Sequence, residues 1–393
     1  MDELAEFGAV VLVVAGGVLL ALVASKLSDR YPIPAPALFL LAAAAIPVVV
    51  PEVRTVERIG VVALIVILFD GGMHIGWRRF RIAAVPISSL GILGTFATAA
   101  VMAVCAHYFF GFDWTTAWII GAALAPTDPA VMFSILGNKS IRGRTGTILE
   151  GESGVNDPVS IALMIGILEF ATEDGGSVWT IFTDFVVEMG VGLVIGVAGA
   201  AALLIFTRRV QLPSEGLYPL RTLAAAGVIY GLASVSHGSG FLAVFIAGIA
   251  LGDLDAPYQS QIRLFQVSLA SLAEIVVFVA LGLTVDLREL IDDRVWLDGL
   301  LLAIILAFVA RPLALAPLLL PLRLRMGERI FVAWSGLKGA VPILLASFAI
   351  LADVEDSRRL YEIVFVVVAF SVVVQGSSIP FAARRLGVRM RRA

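Results

Sequence analysis

The chain has 393 residues, 60% of them hydrophobic and 15% charged, with a formal net charge of −3. A soluble domain carries roughly a quarter charged residues, and a helix apolar on every face must be buried or in lipid. This balance excludes an ordinary soluble protein and gives no sign of a nucleic-acid partner, while a lone cysteine, Cys105, excludes an internal disulfide or a thiolate metal cluster.

Apolar runs near the bilayer length of about 20 residues recur from end to end. Breaking the chain at charged and Pro/Gly-rich punctuation gives thirteen predicted spans. The first four cover 7–25, 34–51, 57–75 and 82–110. The next five cover 114–136, 145–172, 178–208, 218–236 and 239–252. The last four cover 264–285, 296–321, 327–352 and 359–383. The acidic N-terminus, MDELAEFG, lacks the basic region of a cleaved signal, so the first span is expected to be retained. Short loops allow basic residues to orient the chain. Twenty of the 28 lysines and arginines fall on one side, including Arg78, Arg79, Arg208, Arg209 and the C-terminal cluster from Arg384 to Arg392. The N-terminus is therefore expected outside and the C-terminus in the cytoplasm.

Internal symmetry follows the same order. LFDGGMHI (68–75) resembles ALGLTVDL (280–287), each read as a span end with a glycine turn at Gly72 or Gly282. The same offset of 210 pairs residues 15–25 with 225–234, and sets Asp128 of APTDPA opposite Lys338 of GLKGAVP. An odd number of spans separates the partners, so the second copy is inverted. Inverted repeats place transporter sites near the midplane, where broken helices of the two halves meet.

Charge depth agrees. Asp157 lies within two residues of the midpoint between Arg144 and Glu173, and the apolar run after it is too short to cross alone. Asp128, Arg311 and Lys338 bracket to the same depth in their spans. A charge there costs several kcal/mol and usually marks an ion or proton path. Pro126 and Pro129 around Asp128, and Gly336, Gly339 and Pro342 around Lys338, argue against continuous helices and for exposed helix ends. Within span 6, Ser153 and Asp157 share one face and Glu152 and Asn156 the next, while Gly151 and Gly154 permit close helix approach.

These residues resemble a family. TDP at 127–129, GES at 151–153 followed by Asn156-Asp157, an arginine in span 11 and the GLKGA run are similar to the NhaP branch of monovalent cation/proton antiporters. The resemblance covers essentially the whole chain. It implies an all-α polytopic membrane protein of about thirteen transmembrane helices, with two inverted six-helix repeats and crossed broken helices. A transport core of 82–172 and 291–385 would move against a dimerisation domain of 1–81 and 173–290, with a basic tail at 386–393. Asp157 would bind the cation or a proton in turn, with Thr127, Asp128 and Ser153 as further ligands. Glu152, Asn156 and Arg311 would form an ion-paired cluster behind the site. Lys338 stands where many relatives carry arginine, keeping the charge without the planar fork. The GAVPI run after it resembles a potassium/proton subgroup that carries a cytoplasmic regulatory domain beyond the point where this sequence stops.

The implied activity is electroneutral exchange of Na+, or alternatively K+, for H+ by a homodimer in the plasma membrane, with no cofactor and no enzymatic step. A sodium-coupled symporter or channel on the same scaffold is the alternative reading. An intramembrane aspartyl protease using Asp70 and Asp157 lacks its GxGD signature. Glu274 and Glu188 lie near mid-depth and would line the path or fix packing. His74, bordering the cytoplasmic loop, would be either a pH sensor or an exposed loop residue.

Overall fold

The computed structural model describes residues 34–392 except 46–51, 137–138, 142, 173–177, 255–256, 286, 288–289 and 291–293, with positions 8, 12, 15–19, 21–23 and 26 before them. The first predicted span lies largely outside the described residues. The other twelve appear where hydropathy sets them. In chain order the elements are α1 (Ala35–Ala44), α2 (Val53–Ser88), α3 (Thr95–Phe110), α4 (Trp114–Leu124), α5 (Pro129–Leu136) and β1 (Lys139–Ile141). There follow α6 (Arg144–Thr172), α7 (Val178–Arg209), α8 (Leu217–Val235), α9 (Gly240–Gly252), α10 (Gln259–Gly282) and α11 (Val295–Ile305). The chain closes with α12 (Arg311–Leu319), α13 (Met326–Trp334), α14 (Ala340–Leu351), α15 (Ser357–Phe370), α16 (Ser377–Arg385) and β2 (Met390–Arg392).

Two predicted spans share one continuous run. Spans 3 and 4 join in α2, and the bend between them is at Gly76, whose φ of 65° and ψ of 161° suit only glycine. The turn expected at Gly72 is therefore displaced by four residues. Gly72 is instead a packing position: a Cβ there would lie 2.4 Å from the Phe245 carbonyl oxygen of α9. Gly282 plays the same part at the end of α10, where a Cβ would lie 2.5 Å from the Leu40 carbonyl oxygen of α1.

Span 5 is broken as its prolines dictate. Asp113 caps α4 by accepting hydrogen bonds from the Thr115 and Thr116 amides. Burial works against the charge on Asp113, but these hydrogen bonds outweigh it and hold the carboxyl below its ordinary range. The helix ends at Leu124, and residues 126–128 are non-helical before α5 begins at Pro129, where a missing N–H costs nothing. Span 12 breaks likewise, between Trp334 and Ala340.

Among the described residues, three π-helical turns interrupt other spans, at Ser89–Gly94, Leu306–Ala310 and Ser371–Gly376. Such turns often accompany functional sites. The first packs on α6, the second ends immediately before Arg311, and the third presents Ser371 and Gln375. The basic tail does not hang free: Met390–Arg392 pairs antiparallel with Lys139–Ile141, with Ser140 opposite Arg391.

The helices pack in two sets. The first part of α2 lies against α9 and α10, and α7, α8 and α9 pack on one another. On the other side α4 packs on α3, α6, α14 and α15, α14 packs on α6 and α15, and α11 packs on α15. Where the sets face each other, a cavity of about 380 Å³ is lined by residues from both, including Asp70, Asp128, Glu150, Asp157 and Glu274.

Candidate ion site at the crossing of two broken helices

The two breaks meet face to face. The Asp128 amide donates to the Leu337 carbonyl at 2.8 Å, joining residues 210 positions apart in the predicted symmetry within one residue. Contact this close requires glycine: a Cβ on Gly339 would lie 1.9 Å from Asp128 Oδ2, and one on Gly336 would lie 1.8 Å from Arg311 Nε.

Each break exposes carbonyls at a helix C-terminus, the negative end of the helix dipole. Lys338 answers the first. It is 1% exposed, and its ammonium donates to the carbonyls of Ala125 at 3.1 Å and Pro126 at 2.8 Å. Its partners are backbone oxygens of the opposite broken span. Ser371 and Gln375 answer the second. Ser371 Oγ accepts from the Lys338 amide at 2.9 Å and donates to Gln375 Oε1 at 3.1 Å, while Gln375 Nε2 donates to the Trp334 carbonyl at 2.6 Å. Sequence reasoning missed this pair. Two polar residues four apart in an otherwise apolar stretch of span 13 were the available signal.

Helix α6 carries the remaining groups, and nearly all its residues from Thr145 to Leu168 are buried. Gly151 and Gly154 admit neighbours as expected, since Cβ atoms there would run into Ile87 and the Phe245 ring. Glu152, 2% exposed, accepts from Arg311 Nη2 at 2.8 Å, and Arg311 Nε donates to the Ala333 carbonyl at 3.1 Å. The pair is buried on both sides, with side-chain exposures of 3% and 2%.

Asn156 does not join that pair. Its Nδ2 donates to Thr127 Oγ1 at 2.8 Å, and its Oδ1 accepts from the Thr127 amide at 3.3 Å. Ser153 Oγ donates to the Thr127 carbonyl. A side-chain amide matches the backbone and hydroxyl of the broken span, whereas the Glu152–Arg311 pair already satisfies its own charge. Asn156 and Ser153 thus clamp Thr127, and through it the first break, onto α6.

Asp157 is left over. It is 6% exposed, its Oδ1 has no hydrogen-bond partner among the described residues, and it lines the cavity with Asp128 and Ser153. The charges that act on it are Asp128, repulsively, and Lys338, attractively. Among the described residues no three His, Cys, Asp or Glu side chains gather as a metal cluster. The oxygens facing the cavity here are carboxylate and hydroxyl oxygens, which suit a hard cation of low charge.

Asp70, His74 and Glu150 line the same cavity as Asp157. His74 lies inside α2, not in a loop, and its Nδ1 is 3.5 Å from Asp70 Oδ2. Glu150, whose acidity in an apolar stretch was conspicuous in the sequence, pairs with Arg79. Glu274 lines the same cavity, whereas Glu188 does not and accepts the Ser239 amide through its backbone carbonyl.

Comparison with known proteins agrees with this architecture. The transmembrane sodium/hydrogen exchanger model matches residues 17–385. The chain belongs to the sodium/hydrogen exchanger family. A K(+)/H(+) antiporter NhaP from Alkalimonas amylolytica is 38% identical over 84% of this chain and 57% of its own length. The K(+)/H(+) antiporter NhaP2 of Shewanella oneidensis is 34% identical over the same shares of the two chains. The chain thus spans little more than half the length of these curated relatives. The solved structure of the sodium proton antiporter MjNhaP1 from Methanocaldococcus jannaschii superposes with a TM-score of 0.81 at 22% identity, covering 98% of this chain and 100% of that one. This multi-span membrane chain therefore has the antiporter fold.

Proposed function

We propose that the protein is a secondary active antiporter that exchanges a monovalent cation for a proton by alternating access to Asp157. The observation that carries this reading is a buried carboxylate with an unpartnered oxygen, facing a cavity beside two crossed helix breaks. Such a group must be neutralised, and in a site of low dielectric a proton and a cation compete to do so. Asp128, Ser153 and Thr127 supply the other oxygens near the cation. Lys338 neutralises the carbonyls of the first break, so a cation entering the cavity finds its negative field at the carboxylates.

The set holding both breaks, α3–α6 and α11–α16, is the part we assign to move. The set holding the first part of α2 and α7–α10 is the part we assign to stay and to dimerise. The relatives of higher identity carry names that specify potassium, which turns the expected cargo toward K+ and away from the Na+ favoured by the sequence alone. The site lies in the plasma membrane in this reading, with the C-terminus in the cytoplasm.

The test is ionophore-free proteoliposomes loaded with a pH dye, to which Na+ or K+ is added. Wild type should release protons. Asp157→Asn, which removes the titratable ligand with almost no change in volume, should abolish release while retaining the wild-type elution volume in detergent. Asp157→Glu should keep partial activity with a shifted pH profile. Cation-driven proton flux in the Asn variant equal to wild type would overturn the assignment.

A further inference from the structure

One face of α10 forms part of the cavity wall. Val267, Ala270, Ser271, Glu274, Val277 and Phe278 line it, spaced at the helical repeat. Glu274 is the one ionisable residue of that stripe. It is half-buried, its Oε1 is shielded from solvent without a hydrogen-bond partner among the described residues, and it forms no ion pair among them. A carboxylate kept for packing would have a donor, because leaving a shielded oxygen unpaired is costly.

The ionisable groups facing the same space are known from every neighbouring element. Asp70 and His74 come from α2, Asp128 from the first break, and Glu150 and Asp157 from α6. The lines of α1 and α14 carry none, and Tyr218, Arg221 and Tyr230 of α8 do not reach the cavity. The charge that acts on Glu274 is Asp128, which repels it. Glu274 therefore faces the cavity it shares with Asp128 and Asp157 from a different helix, and nothing on the α10 side supplies a counter-charge.

We propose that Glu274 is a second cation-contacting carboxylate, a station on the stationary wall that draws a monovalent cation into the cavity and hands it to Asp157. This rests on the antiport reading and adds a residue to it. Because α10 belongs to the set that holds neither helix break, Glu274 does not travel with the loaded site. Its contribution falls on cation capture, and so on KM more than on kcat.

The experiment compares wild type, Glu274→Gln, Glu274→Asp and Asp157→Asn in proteoliposomes at one alkaline pH, over a series of Na+ and K+ concentrations. Removing one unit charge acting at an effective dielectric of about 20 should raise KM roughly fivefold or more in Glu274→Gln, with kcat changed less than about twofold. Glu274→Asp should fall between. An unchanged KM, or a collapse of kcat at constant KM, overturns the inference. A second readout needs no turnover: the rise in melting temperature of detergent-purified protein on adding NaCl or KCl, against choline chloride. It should be smaller in Glu274→Gln than in wild type, and equal shifts also overturn the inference. If wild type itself does not exchange, the antiport reading fails, while the melting comparison still decides Glu274. If Asp157→Asn is inactive and Glu274→Gln matches wild type, only the role of Glu274 falls.

Discussion

Replacing Arg311 with alanine separates a structural ion pair from an ion ligand. In the native chain one oxygen of Glu152 accepts from Arg311 at 2.8 Å, and the other has no partner among the described residues. Arg311→Ala therefore leaves a carboxylate, 2% exposed, with neither oxygen hydrogen-bonded, and frees the Ala333 carbonyl as well. Removing one member of a buried pair costs about 3–5 kcal/mol. At roughly 2 °C per kcal/mol for a large chain, the melting temperature should fall by about 6–10 °C. Tryptophan fluorescence of the detergent-purified protein, which has six tryptophans, reads this directly. Glu152→Gln with Arg311→Gln removes both charges together and should recover part of the loss. If each single variant melts within a degree of wild type yet transports nothing, the pair is not structural, and Arg311 belongs to the ion path.

Gly339→Ala should abolish exchange with a modest effect on assembly, because its methyl would occupy the position of the Asp128 carboxylate. Normal proton release by that variant in proteoliposomes would mean that the breaks need not touch. Lys338→Met leaves two buried carbonyls of the first break without donors, a loss of about 1–3 kcal/mol for each. It should lower the melting temperature even where Lys338→Arg does not, and equal melting of wild type and the Met variant would refute the capping role.

Position along each span was legible in the sequence, and partnership was not. Hydropathy and flanking charges placed twelve described spans and set Asp128, Asp157, Arg311 and Lys338 near one level, because lipid punishes charge along a single coordinate. The broken spans were legible too, since Pro126, Pro129, Gly336 and Gly339 act on their own backbone. What Lys338 touches was not legible, because carbonyl partners leave no trace in side-chain identity. The Thr127 partner of Asn156 was hidden for a related reason. Helical spacing gives the face a residue occupies, and not which of two adjacent polar groups it will reach. The bend at Gly76 was misplaced because Gly71, Gly72 and Gly76 are alike in sequence. Only packing against α9 decides which of them turns.

The same geometry limits how much charge can move. Glu152 and Arg311 cancel within the pair, and Lys338 is held on the carbonyls of the first break, so it remains with whichever elements carry that break. Asp128 and Asp157 then leave one carboxylate in excess. A single monovalent cation neutralises it, and so does a single proton on Asp157, so the moving set bears the same charge in both loaded states. Glu274 changes capture without entering this count, because it stands on α10, outside the moving set. Exchange should therefore be one for one and indifferent to voltage, in wild type and in Glu274→Gln alike. Proteoliposomes clamped inside-negative, at zero and inside-positive test this by proton flux against cation concentration. A rate or end point that follows the potential would show that Lys338 or Asp128 changes its charge during the cycle, or that α10 moves with the site.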